Sequence, residues 1–203
     1  MTGDALTIAF CDETDFGFGW IASEPELLQR ASHALAVEGR VWLVDPVDGP
    51  GVEERVRALG EPAGVLQLID RHDRDCAELA GRLGAPLHRV PLGGVPGSPL
   101  EARKILDAPG WHEVALWWEA RSVLVCAEAL GTVPYFRGPD ETLGVHPFLR
   151  LYQPRGLRDM AKCLAPEHVL VGHGEGVHGE VAAPALVQAV RGARRATPRW
   201  LSH

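Results

Sequence analysis

The chain has 203 residues, of which 46% are apolar and 23% are charged, and its 27 acidic and 20 basic residues give a formal net charge of −7. A chain of this length folds most simply as one domain with a full core of its own. The acidic balance excludes a general nucleic-acid partner, because such binding depends on cations that neutralise phosphates. No run of the sequence approaches the roughly 18 apolar residues of a membrane-spanning helix.

The first half of the chain is predicted to begin with strands and to continue with alternating helices and strands. Short apolar runs predict strands at residues 5–10, 17–22, 34–37 and 40–44. Between the last two runs, Glu38 and Gly39 form a pair typical of a hairpin turn. The following spacing predicts a helix at 52–59, a strand at 65–69, a helix at 76–83 and a strand at 86–90. Alternation at this spacing indicates α/β layering.

The second half is predicted to contain a strand pair, an irregular segment, and a closing strand and helix. Its glycines and prolines predict a loop at 91–99 and an irregular segment at 131–147. Its predicted elements are strands at 113–118 and 122–126, a helix at 157–163, a strand at 168–171, a loop at 172–176 and a helix at 182–191. No internal repeat or long linker divides the chain, so we expect a single domain over residues 1–203.

The cysteines show no motif of their own. Cys11, Cys76, Cys126 and Cys163 lie far apart, without the C-x-x-C pair of a zinc ribbon or a thioredoxin-like protein. The first residues lack a basic leader, so we expect a soluble cytoplasmic protein without a membrane partner.

A basic stretch lies near the end of the chain. It contains Arg191, Arg194, Arg195 and Arg199. We interpret it as a solvated helix end and tail rather than as a binding patch, because cations favour helix C-termini.

The order of the predicted elements resembles the four-layer αββα sandwich of the metallo-β-lactamase superfamily. The central segment, residues 65–76, runs from an apolar strand into the polar loop DRHDRDC and then a helix. The other segments that carry the resemblance are VWLVD at 41–45, GAPLH at 84–88, SVLVCAEAL at 122–130 and VLVGHG at 169–174. The resemblance covers nearly the whole chain and implies an α/β (α+β) sandwich with a cleft at the strand ends.

The polar loop resembles the H-x-H-x-D-H motif of that superfamily, in which two metal ions share the cleft, with its histidines largely replaced. Matching Asp75 and Cys76 to the last two positions puts Arg71 and Asp73 where two histidines would hold the first ion, and puts His72 on a spacer position. Arginine stays protonated and offers no lone pair to a metal, so the usual first-ion site is not expected.

Two further ligand positions are changed as well. The superfamily's next histidine position is matched most closely by Trp111, or by His112 if the alignment slips by one residue. The bridging carboxylate of the superfamily is matched by Glu128, which has a longer side chain than aspartate.

The second-ion site is better preserved. Asp75, Cys76 and His173 would supply oxygen, sulfur and nitrogen donors that suit a single zinc ion. The resemblance then implies a mono-zinc hydrolase of esters, thioesters, lactams or similar carbonyl compounds. Asp73 or Glu128 would orient or deprotonate the attacking water, and Arg71 would stabilise negative charge on the substrate.

A metal-free protein is the alternative. Arg71 would then pair with Asp73, Asp75 or Glu128, since buried carboxylates need a counter-charge. Asp75 would cap the helix that begins at Cys76, and Cys76 would be a small core residue. On this interpretation the protein is catalytically inactive, and its cleft binds an anionic small molecule or another protein.

Overall fold

Two β-sheets form the centre of the molecule in the computed structural model, which describes residues 6–23, 28–197 and 201. The strands of the first sheet, in spatial order, are β1 (Thr7–Thr14), β2 (Gly17–Ser23), β3 (Ala31–Val37), β4 (Arg40–Val44), β5 (Glu61–Gln67) and β6 (Leu87–Arg89). Strands β1 to β4 are antiparallel neighbours, whereas β4, β5 and β6 run parallel.

The second sheet comes from the later part of the chain. Its strands are β7 (Glu101–Ala108), β8 (Trp111–Trp118), β9 (Val123–Cys126), β12 (His168–Val171) and β13 (Val177–His178), in the spatial order β13-β12-β9-β8-β7. Strands β10 (Leu130–Gly131) and β11 (Gly144–Val145) form a short separate ladder. Strands β9 and β12 are parallel neighbours, so the loops that follow them leave the sheet at the same edge.

Helices cover the outer faces of the sheets and make the predicted αββα sandwich. Their bounds are α1 Val52–Leu59, α2 Cys76–Leu83, α3 Pro147–Leu151, α4 Arg155–Cys163 and α5 Ala182–Gly192. Helices α1 and α2 pack against the first sheet, whereas α4 contacts β7 and α5 contacts β12. None of the helices within the described residues is long and apolar enough to cross a membrane.

Alternation along β4 divides the core into two parts. Val41 and Leu43 pack towards α1 and α2, whereas Trp42 and Val44 point into the larger core between the sheets. Since successive side chains of a strand point to opposite faces, one fully buried strand serves both layers. This explains why residues 41–44 are an uninterrupted apolar run.

The predicted elements agree with the structure where the apolar pattern is strong. The hairpin turn at Glu38 and Gly39 is confirmed, with φ of 52° and 78° at the two residues. Helices α1 and α2 have the predicted bounds. Strand β7 was not predicted, because the sequence EARKILDA of this sheet edge is half polar and only partly buried. The short helix α3 was also missed, within and just beyond the segment predicted to be irregular.

The two sheets are joined to each other by backbone hydrogen bonds at one end of the sandwich, which we call the seam. Beyond β5, the Val114 amide donates to Leu68 O at 3.0 Å, and Ile69 forms a bridge with Glu113. Beyond β12, the Ala31 amide donates to Gly172 O at 2.8 Å. The seam brings the loops that follow β5, β9 and β12 to one place.

Candidate metal centre

Three metal-capable side chains meet at the seam, one from each of these loops. His72 follows β5, Glu128 follows β9 and His173 follows β12. Glu128 Oε1 lies 3.0 Å from His72 Nε2 and 2.7 Å from His173 Nε2. One atom from each of the three residues lies within 4.8 Å of the others, and within the described residues this is the only such group of His, Cys, Asp or Glu.

The hydrogen bonds of His173 leave a conflict that a cation would resolve. Its Nδ1 is 2.6 Å from the carbonyl oxygen of Leu28, which can only accept, so Nδ1 carries a proton and donates. In a neutral ring, Nε2 then presents a lone pair to Glu128 Oε1, which is also an acceptor. Two acceptors at 2.7 Å need a proton or a metal ion between them. A histidine that donates one nitrogen to a backbone carbonyl and offers the other to a metal is the usual arrangement of a metal ligand.

Glu128 is held in its ionised form. Burial acts to raise its pKa, but the hydrogen bonds and charges of His173 and His72 outweigh this effect and keep the pKa well below its ordinary value. A carboxylate must be ionised to bind a metal. His72 is also suited to bind a metal ion, because its Nδ1 is buried without a hydrogen-bond partner and its Nε2 faces Glu128. The donor set of two imidazoles and one carboxylate therefore suits zinc and similar ions.

His146 lies beside this group but is arranged differently. The Phe148 amide donates to its Nδ1 at 3.3 Å, so in the neutral ring Nε2 carries the proton. Burial lowers the pKa of His146 to about 4, which keeps the ring neutral. Its Nε2 is 3.6 Å from Glu128 Oε2, too far for a good hydrogen bond. His146 is therefore a hydrogen-bond donor next to the three candidate ligands rather than a fourth ligand.

Glu113, a fully buried acid of β8, fixes the backbone that carries Glu128. Its Oε1 accepts from the amides of Glu128 at 2.8 Å and Ala129 at 2.9 Å, and its Oε2 accepts from Trp111 Nε1 at 2.8 Å. Burial raises the pKa of Glu113 to about 7. Sequence reasoning missed this residue, although an acid in the apolar run of β8 is the kind of signal that marks a buried polar role.

Arg74 ties three backbone segments together behind the site. Its guanidinium donates to the carbonyl oxygens of Ala31, Asp45 and Gly172, at 2.9 Å for Asp45 and 2.8 Å for Gly172. Burial raises the pKa of the Asp45 carboxyl, and the charge of Arg74 opposes this effect. Arg74 thus supplies a fixed positive charge next to the seam.

A pocket of about 240 Å³ opens at this site, and two of the three candidate ligands, His72 and Glu128, line it. Its wall consists of Leu28, Arg71, His72, Glu128, Tyr135, His146 and Phe148. The Arg71 guanidinium lies 4.5 Å from the centre of the Trp111 ring, stacked on it. A larger hollow of about 430 Å³ lies by the 174–177 loop, but none of the three candidate ligands lines it.

Comparisons with known proteins find similarity in structure alone. No family model matches the sequence, and no curated protein matches it. The metallo-β-lactamase DIM-1, in a crystal exposed to ceftazidime, has a TM-score of 0.57 and 13% identity, covering 95% of this chain and all 100% of its own. The mono-zinc form of the metallo-β-lactamase FIM-1 from Pseudomonas aeruginosa has a TM-score of 0.61 and 10% identity, covering 94% and 97%. A metallo-β-lactamase from Pontibacter korlensis has a TM-score of 0.55 and 10% identity, covering 91% and 99%.

The chain has the metallo-β-lactamase fold. Identities of 10–13% show the fold and nothing finer. The predicted fold class is thereby confirmed, whereas the metal ligands depend on the side chains of this chain itself.

Within this metallo-β-lactamase fold, Asp75 and Cys76 do not belong to the group of metal-capable side chains that contains His173. Asp75 Oδ2 accepts from the Asp48 amide at 2.7 Å, and the side chain does not cap α2. Cys76 is 1% exposed and packs in the core under α2, where burial raises the pKa of its thiol to about 12. The physical reason is the helix face: Cys76, Leu79, Ala80 and Leu83 form the buried stripe of α2.

Of the remaining predicted residues, Asp73 and His112 lie outside the pocket, whereas Arg71 lies at its wall. Asp73 accepts from Gln67 Nε2 at 3.1 Å and does not line the pocket. Arg71 lines the pocket but stacks on Trp111 rather than pairing with Asp73, Asp75 or Glu128. His112 is half-buried, with its Nδ1 2.6 Å from Asp107 Oδ1. Only Glu128 and His173 of the predicted site residues belong to the three-residue group, and His72 joins them from its spacer position.

Replacing Gly174 with alanine is expected to disturb the position of His173. Gly174 has φ of 88°, and a Cβ there would collide with Thr132 Oγ1. That hydroxyl is fixed because it donates to Glu175 O at 2.7 Å. We expect Gly174→Ala to lower the free energy of unfolding by about 1–3 kcal/mol more than Gly110→Ala, as measured by urea denaturation.

Gly110 is the matched control for this experiment. Its φ of 78° makes the backbone conformation similarly unfavourable for alanine, but a Cβ there meets nothing within 4 Å. Equal losses in the two variants would show that crowding at Thr132 is not what requires a glycine at position 174.

Proposed function

We propose that this protein binds one zinc ion through His72, Glu128 and His173 and hydrolyses a small carbonyl substrate such as an ester, thioester or lactam. The observation that carries the proposal is the pair of facing acceptors, His173 Nε2 and Glu128 Oε1 at 2.7 Å, with Nδ1 of the same ring committed to Leu28 O. A zinc ion in such a site supplies Lewis acidity and lowers the pKa of a water molecule to about 7.

The side chains around the pocket suggest how a substrate would be held. The Nε2–H of His146 can donate to an oxygen of the substrate, as a donor near a developing oxyanion does. Arg71 has no carboxylate partner among the described residues and is held by Trp111 at the pocket wall, so it suits an anionic group of the substrate. The pocket of about 240 Å³ limits the enclosed part of that substrate to a small group.

Glu128 has a ligand's role in this proposal rather than that of a strong base. A carboxylate that binds a metal ion must stay ionised, so it takes up a proton poorly. Its Oε2, with only the distant His146 nearby, can still orient a water by accepting a hydrogen bond. Asp73 has no part in the proposed reaction, because it binds Gln67 outside the pocket.

A metal-free binding module is the second candidate. It is favoured by the same cluster, since a doubly protonated His173 could donate to both Leu28 O and Glu128 and so form a closed ion pair. The pocket would then bind a small anion through Arg71 without chemistry. The cytoplasmic location and the lack of a nucleic-acid partner remain predictions from composition.

Zinc content separates the two candidates. For protein purified without a chelator or a metal-affinity step, we expect elemental analysis to find about one zinc per chain in the wild type. We expect nearly none in Glu128→Gln and His173→Ala, because each removes one of the three donors. A folded wild type without metal would favour the binding module.

Two control variants test which residues are the ligands. Cys76→Ser and His112→Ala change metal-capable residues that lie outside the group, so both are expected to keep the zinc. Loss of zinc in Cys76→Ser with retention in His72→Ala would restore the set predicted from the sequence motif and overturn the present one.

A further inference from the structure

A second, basic pocket lies between α4 and α5, on the outer side of the second sheet. Its volume is about 340 Å³, and it is lined by Gln153, Arg158, Ala161, Lys162, Val190, Arg191 and Arg194. Four of the chain's 20 lysines and arginines therefore face one cavity, in a protein with a net charge of −7. None of the candidate zinc ligands lines this cavity, so a role for it is independent of the proposed hydrolase activity.

The convergence of these cations follows from the packing of two helices. Arg158 and Lys162 are four residues apart on α4 and so share a face of the helix. Arg191 belongs to the last turn of α5, and Arg194 follows three residues later. Because α4 and α5 pack against each other, these two pairs are brought to the two sides of one cavity, and the buried Val190 lines it between them.

The charge of the pocket is not compensated by the chain itself. The acid of α4, Asp159, pairs with Arg155, at 3.2 Å, on the side of the helix that borders a different pocket. Residues 182–197 contain no acid at all. Among the described residues, none of the four cations forms an ion pair with a carboxylate, although like charges on facing helices repel one another. An anionic ligand would relieve that repulsion.

We propose that this pocket binds a small, soluble, phosphate-bearing anion. Three of its four cations are guanidinium groups, whose planar forks match the oxygens of a phosphate and bind it with paired hydrogen bonds. The fourth, Lys162, adds a compact charge at the same wall. A cavity of about 340 Å³ is in the size range of small-ligand sites.

The sequence alone suggested a different interpretation of part of this region. Arg191, Arg194 and Arg195 looked like a solvated helix end, and Arg199 lies outside the described residues. In the structure Arg191 and Arg194 line the basic pocket, whereas Arg195 lines another cavity together with Asp140 and Glu141. Arg158 and Lys162 of α4 form the other side of this pocket, so the basic stretch becomes part of a cavity only through the packing of α4.

Isothermal titration calorimetry with inorganic pyrophosphate tests the proposal, on the full chain at low ionic strength. We expect saturable binding of one pyrophosphate per chain. Arg158→Ala and Arg194→Ala are each expected to weaken it by at least about tenfold, as loss of charge-assisted hydrogen bonds does. Arg195→Ala removes the same charge one position away and is expected to change the affinity by less than about twofold, because surface charges act weakly through water.

Three results would overturn the proposal. One is the lack of saturable pyrophosphate binding by the folded wild type. Another is equal weakening by Arg194→Ala and Arg195→Ala, which would indicate general attraction to a basic surface. The third is tighter binding of a short DNA duplex than of pyrophosphate, lost in the same two pocket variants, which would identify the pocket as part of a nucleic-acid surface.

Discussion

Replacing Arg74 with methionine is expected to lower the free energy of unfolding by about 3–5 kcal/mol, the range for removing one member of a buried ionic group. The guanidinium of Arg74 donates to three backbone carbonyls, of Ala31, Asp45 and Gly172. Methionine fills a similar volume but removes the guanidinium donors, so that the Asp45 and Gly172 carbonyls keep only Ser32 Oγ and the Ala31 amide. It also removes the positive charge that opposes the burial of the Asp45 carboxylate. The melting temperature should fall by roughly 6–20 °C for a chain of this size.

The matched control is Arg71→Met, three residues earlier in the same loop. Arg71 is exposed, and its one described contact is the Trp111 ring, so its loss should cost no more than about 1 kcal/mol. Urea denaturation followed by tryptophan fluorescence measures both variants. If Arg71→Met were the more damaging change, the counter-charge of the buried acids would lie at Arg71, as the metal-free interpretation of the sequence predicted, and not at Arg74.

Replacing Glu113 with glutamine is expected to damage both stability and zinc binding. All three donors that Glu113 accepts from are N–H groups, two from the backbone at 128 and 129 and one from Trp111. An amide has one accepting oxygen only, so its NH₂ group must face a donor, and a buried donor is left unpaired at a cost of about 1–3 kcal/mol. Because Glu113 fixes the backbone of Glu128, we expect the affinity for zinc to fall by about 10–100-fold.

Glu119→Gln provides the comparison for this variant, since Glu119 is an exposed acid just beyond the other end of β8. It should leave both the unfolding curve and the zinc affinity unchanged. Zinc titration in competition with a chromophoric chelator measures the affinity of each protein. Full zinc affinity in a correctly folded Glu113→Gln protein would mean that Glu128 does not depend on Glu113 for its position.

The fold was predictable because its signals are local and repeated. Burial determines the apolar pattern of each element, as in the runs 41–44 and 65–69 and the buried stripe of α2. This pattern can be read from the side chains of that segment alone. The hairpin turn at Glu38 and Gly39 depends on the backbone conformations that these two residues prefer. Strand β7 escaped prediction because its position at the sheet edge leaves it half polar and only partly buried.

The site was predictable only in part, because its geometry depends on contacts between segments distant in sequence. Glu128 and His173 were identified because their segments match the superfamily's, and each lies two residues beyond a clear strand. Asp75 and Cys76 were selected by motif position, whereas the bonds that Arg74 makes across the seam, at a residue with φ of 44°, depend on segments distant in sequence. His146 gave no signal in the sequence, because its role comes from its packing against Trp111 and Phe136.

The seam also determines when during folding the site can form. Its hydrogen bonds join Ala31 near the start of the chain to Gly172 near its end, and Leu68 to Val114 across the middle. Such contacts form only after long stretches of chain have been ordered, and closing those loops costs entropy before any contact is gained. The N-terminal half alone can make most of the first sheet, but it has neither Glu128 nor His173. The cleft is therefore a property of the completed sandwich, and the N-terminal half of the chain does not carry it.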